Sequence, residues 1–220
     1  GSNVLGVNSI SIGNIAGSIS QNTGCTAIGA IAGRYGQGNF ANALGYQAGG
    51  TAQGVAATAL GHQAAAEYQG NSATAVGRKA GFTTQGSNSV AVGAEAGSNN
   101  QGAYSVAIGA FAAHLDQNSN CVAIGNSAGR EAQEVNAVAI GNNAGRDSQG
   151  ARSIAGGSNA GYSNMGNNCV SYGQNGVPGE KASYSSTLQY QKNSKKVPLH
   201  QYMRRDLMHI WPDDATAAAG

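Results

Sequence analysis

The chain has 220 residues; 35 are glycine, only 10% are charged, and the net charge is +2. Six basic and six acidic residues precede residue 178, and six basic and four acidic follow it, so neither part carries the basic stripe of a nucleic-acid binder. No apolar run is long enough for a membrane-spanning helix and no signal peptide is visible, so no membrane insertion is expected.

The glycine content alone fits disorder; the order of the residues argues against it. Gly13, Gly29, Gly45, Gly61, Gly77, Gly93, Gly109, Gly125, Gly141, Gly157 and Gly173 follow one another at a spacing of sixteen without an insertion. A fixed period marks a fold built from stacked identical units. Sixteen residues are too few for a helix-turn-helix unit and suit one coil of two short strands and two turns. The β-branched stretch before each anchor, such as Val106-Ala107-Ile108, reads as a strand and the glycine as the turn that ends it. The expected fold is an all-β solenoid of about eleven coils over residues 1–177.

Other columns follow the same phase. Alanine stands three residues after ten of the anchors, from Ala16 to Ala160. Glutamine stands eight residues after the first nine: Gln21, Gln37, Gln53, Gln69, Gln85, Gln101, Gln117, Gln133 and Gln149, with Met165 next. Stacked coils turn this column into an amide ladder, each rung worth roughly 0.5–1.5 kcal/mol when sheltered.

The residues just before the anchors are Ile12, Ile28, Leu44, Leu60, Val76, Val92, Ile108, Ile124 and Ile140, followed by Gly156 and Tyr172. They share one strand face with a second column, Ile10 to Val170, in which Thr26, Asn42, Thr58 and Thr74 are polar. The opposite face holds only small residues and fits inside a thin coil. The aliphatic face is then a stripe on the outside, which self-association around an axis covers. The three cysteines fall in the small column, three and six coils apart, as buried thiols without disulfide or zinc geometry.

From Pro178 to Gly220 the chain changes character. Ser183–Gln191 alternates as a strand, Lys192, Lys195 and Lys196 form a basic linker, and residues 198–211 read as a short helix between prolines. Leu199, Met203, Leu207 and Trp211 share one face of that helix, which predicts either a cap over the last coil or a docking segment for an anchor protein.

Catalysis has little support. His62 and His114 fall at variable columns with no acidic partner in phase, and Glu131, Glu134 and Asp147 beside Arg130 and Arg146 read as surface ion pairs. Neither an enzyme nor a cofactor nor a metal is expected. Contacts with a protein or glycan are expected at the variable aromatics Tyr35, Tyr46, Tyr68, Phe82, Tyr104, Phe111 and Tyr162.

The segments Asn88-Ser89-Val90-Ala91-Val92-Gly93, Tyr104-Ser105-Val106-Ala107-Ile108-Gly109 and Asn136-Ala137-Val138-Ala139-Ile140-Gly141 resemble the N-S-V-A-I-G head repeat of YadA-like trimeric autotransporter adhesins. They are also similar to fibre repeats of large DNA viruses and some phages. The resemblance covers residues 8 to about 177. It implies a left-handed parallel β-roll and a homotrimer, with the aliphatic column as trimer interface, and a role in attachment to a host surface. The longer repeat and the glutamine column point to the viral type, a spike or fibre head on a virion surface. The alternatives are a fragment of a bacterial adhesin head at the cell surface, or a structural spacer or cement protein.

Overall fold

The computed structural model describes residues 5–174 and 186–188, and in it each sixteen-residue unit is one turn of a parallel β-solenoid. Each turn holds two short strands. One ends just before the anchor glycine, as Val106–Ile108 does, and the other ends on the column glutamine, as Leu115–Gln117 does. Stacking makes two parallel sheets. The anchor sheet runs from Ile10–Ile12 to Val170–Tyr172, with Ser186–Leu188 as its twelfth strand. The glutamine sheet has ten strands, from Ile19–Gln21 to Ser163–Met165. Among the described residues the eleven anchors therefore make about ten full turns, each with a strand of both sheets. No helix occurs among the described residues.

Register is constant along the rod. Val106 lies opposite Val122, Ile108 opposite Ile124, and Gln117 opposite Gln133. Each sequence column is thus a straight line on the structure. The chain divides into two units, Gly1–Thr187 and Leu188–Gly220. Of the expected strand at 183–191, Ser186–Leu188 is strand. Leu199, Met203, Leu207 and Trp211, with the cap or helix expected of them, lie outside the described residues.

The corners require unusual backbone. In the turn after Gly93, the left-handed region is taken by Glu95, Asn100 and Tyr104, at φ of 57°, 55° and 58°. Each such non-glycine residue costs roughly 1–2 kcal/mol. Hydrogen bonds between turns offset the cost: Gly109 N–H donates to the Val92 carbonyl at 2.8 Å and Phe111 N–H to that of Ala94 at 2.9 Å. The anchors are more restricted still. Gly109 has φ of 125°, and a Cβ there would lie 2.5 Å from the Gly125 carbonyl oxygen of the next turn. Gly109→Ala is therefore expected to lower stability by roughly 1–3 kcal/mol. An unchanged unfolding midpoint in urea would show that the turn relaxes around a side chain.

The interior is narrow. Ser89, Ala91, Ala96, Ser98 and Gln101 are the buried side chains of one turn. The core cluster contains alanine throughout, joined only by Met165 and Cys169. No Ile, Leu, Val or Phe among the described residues is buried, and the largest fully buried side chains are glutamines. Among the described residues the solenoid thus keeps its branched aliphatic and aromatic groups out of the core, and Met165 is the one long apolar side chain inside.

Cys25, Cys121 and Cys169 are free and buried. The Cys121 Sγ donates to the Glu134 carbonyl at 2.9 Å, as Ser105 Oγ donates to that of Asn118 at 2.8 Å. Burial pushes the Cys121 thiol above its ordinary pKa. Thiol and hydroxyl are therefore exchangeable donors in this column.

Gly156 and Tyr172 interrupt the aliphatic column, and in the structure the two positions pack on each other. Val170–Tyr172 is a regular strand of the anchor sheet, and the Tyr172 ring lies over Gly156, where a Cβ would come within 2.6 Å of it. Phe40 covers Gly24 in the same way. In both cases a glycine without a side chain makes room for the aromatic ring one turn later.

Candidate functional site

The glutamine column lies inside the rod. All nine glutamines are buried. Each Nε2 donates to the Oε1 of the glutamine one turn later, over 2.9–3.2 Å, from Gln21 to Gln149. The same nitrogen also donates to a carbonyl of the anchor sheet eleven residues earlier, as Gln101 does to Val90 at 2.9 Å. The ladder thereby ties the two sheets together across the core. At its N-terminal end Ser11 Oγ donates to Gln21 Oε1 at 2.9 Å, and at the other end Met165 fills the column with a thioether. Neither kind of cross-column bond is visible when the sequence is aligned on its period. The serine among alanines at position 11 was the available signal for one of them.

The aliphatic column faces outward in line. Ile12 is 59% exposed, Leu60 45% and Ile140 48%; Ile28, Ile108 and Ile124 are exposed to a lesser degree, and Leu44, Val76 and Val92 are half-buried. Constant register sets Ile108, Ile124 and Ile140 one above another, with Val106, Val122 and Val138 beside them. Toward the N-terminus the neighbouring column is Thr26, Asn42, Thr58 and Thr74. The result is a two-column stripe, aliphatic on both columns from Val90 and Val92 to Val138 and Ile140, and on one column from Thr26 and Ile28 to Thr74 and Val76.

The variable aromatics do not converge on one face. Tyr35, Tyr46, Tyr68 and Tyr104 are exposed, and Phe82, Phe111 and Tyr162 are half-buried. Several are occupied within the chain: Arg34 lies 4.4 Å over the Tyr35 ring, Lys79 lies 5.3 Å over Phe82, and Arg146 both covers and donates to Tyr162. Tyr46 and His62 stack one turn apart, with ring centroids at 5.3 Å.

His114 has an acidic partner out of phase with the repeat. Its Nε2 lies 3.2 Å from Glu95 Oε2, the Phe111 ring meets it edge-on, and its Nδ1 is buried without a partner. Glu95 is held from the other side by Arg78 at 2.6 Å. Burial works to raise the Glu95 carboxyl; the Arg78 guanidinium and the His114 ring outweigh it and hold the group below its usual pKa. Glu95 precedes His114 by nineteen residues, one turn and three more, so alignment by columns hides the pair. Arg130–Glu131 and Arg146–Asp147 are looser surface pairs at 3.5 and 3.7 Å. Among the described residues no three His, Cys, Asp or Glu side chains gather as a metal cluster, and no helix is long and apolar enough to cross a membrane.

No family model matches the chain, and no curated protein matches it.

Proposed function

We propose that this chain is a non-catalytic, homotrimeric fibre or spike segment, a left-handed β-roll displayed on a virion, whose variable columns contact a host surface. The observation that supports it is the placement of apolar groups: alanine and glutamine inside, an aligned aliphatic stripe outside. Burying one Ile or Val contributes roughly 1.5–3 kcal/mol, so a stripe that repeats over successive turns has a strong drive to be covered. A closed ring of copies covers it without leaving an open surface for further growth. The segment 178–220, with Leu199, Met203, Leu207 and Trp211, is assigned to capping the roll or docking an anchor protein. A spacer or cement protein is the second reading, favoured by the many Ala, Ser, Asn and Gly residues at the other variable columns. Antibody labelling of intact particles, combined with binding of the purified protein to host cells, separates the two. Surface label with cell binding supports attachment; label only after particle disruption, without cell binding, supports the spacer and overturns the attachment reading.

A further inference from the structure

We infer that the corner ridge between Tyr46 and Phe111 binds an acidic glycan lying along the rod. The inference rests on the attachment reading and names the ligand class. The column directly after the anchors is small at Ala30, large at Tyr46, His62 and Arg78 in three successive turns, and small again at Ala94 and Ala110. Tyr46 stacks on His62 with the rings 17° from parallel, and it remains 46% exposed, with only Ala30 one turn before it in the column. The adjoining column supplies amides and charge. Gln63 Nε2 donates to Gln47 Oε1 at 3.0 Å, Lys79 follows, and Glu95 joins Arg78 to His114.

A sugar ring has an apolar C–H face that stacks on an aromatic ring and hydroxyls that pair with amides. The ridge offers both in consecutive turns. Turns recur about every 4.8 Å, close to the rise of one sugar along an extended chain, so successive sugars meet successive turns. Arg78 uses one N–H on Glu95 and keeps half of its side chain in water; a guanidinium has further donors to give. Arg78 and Lys79 outnumber Glu95, which favours a sugar bearing carboxylates. A protein partner would bury an uncharged centre, and the later turns of the ridge carry Arg78, Lys79 and Glu95.

The test is calorimetric titration of the full chain with hyaluronan hexasaccharide, a carboxylate-bearing probe, and with uncharged chitohexaose. Hyaluronan is expected to bind, and chitohexaose to bind at least about ten-fold more weakly. Tyr46→Ala and Arg78→Gln are each expected to weaken hyaluronan at least about ten-fold. Tyr104→Ala, which removes a still more exposed ring from a different corner, is expected to leave binding unchanged. Circular dichroism checks that each variant is folded. No saturable binding of hyaluronan, equal binding of the neutral sugar, or an equal loss at Tyr104 and Tyr46 overturns the inference. If wild-type rods and the Tyr46→Ala variant attach equally to host cells while hyaluronan does not bind, the glycan ridge fails and the attachment reading stands.

Discussion

Ile124→Asp is expected to break the assembly into monomers or to unfold it. Ile124 lies in the aliphatic half of the stripe, between Ile108 and Ile140 on its own column and beside Val122. In the proposed trimer, a carboxylate placed there in every copy would be drawn out of water into an aliphatic seam. The cost is several kcal/mol for each unpaired charge, against the roughly 1.5–3 kcal/mol that each buried isoleucine contributed. The monomer has little to fall back on, because its own interior holds alanine in place of larger aliphatics. Thr84→Asp, an exposed change in the glutamine sheet, is the control and should leave assembly intact. Sedimentation at micromolar concentration reads the outcome. A wild-type monomer, or a trimer that survives Ile124→Asp, removes the stripe from the interface.

The fold was legible because its information is one-dimensional. Once the anchors align, every turn repeats the same strand, corner, strand and corner, and the structure preserves that register from Ile10↔Thr26 to Ile154↔Val170. The columns were legible for the same reason: a buried alanine column and an exposed aliphatic one alternate along a single strand, as in Val122, Ala123 and Ile124. Contacts between different columns were not legible, because they depend on how the corners bend. The Gln101–Val90 bond, the Glu95–His114 pair and the Tyr172 ring over Gly156 all join positions that alignment keeps apart. The ridge was hidden for a further reason. Its members stand in several columns, and only the turn geometry gathers Arg78, Glu95 and His114.

The buried ladder makes the strongest demand on a single residue, and Gln101→Glu tests it. Gln101 accepts from Gln85 Nε2 at 3.2 Å and donates to Val90 O at 2.9 Å and to Gln117 Oε1 at 3.2 Å. An ionised glutamate keeps the acceptor and loses both donors, so a negative charge faces two oxygen atoms in a dry core. That arrangement costs several kcal/mol at neutral pH. The protonated acid restores one donor, so folding favours the neutral form and raises the glutamate pKa above its unfolded value of about 4.3. A raised folded pKa means that the variant holds its full stability below about pH 4 and loses it as pH rises through the folded value. Gln101→Met separates shape from hydrogen bonding. Met165 shows that a thioether fits this column, so the methionine variant should lose roughly 1–3 kcal/mol with no pH dependence of its own. Thermal unfolding across the acid-to-neutral range measures all three proteins. The glutamate variant should approach the methionine variant in acid and fall well below it at neutral pH. Parallel profiles for the two would mean that the carboxylate reaches water and that the rod opens around the ladder.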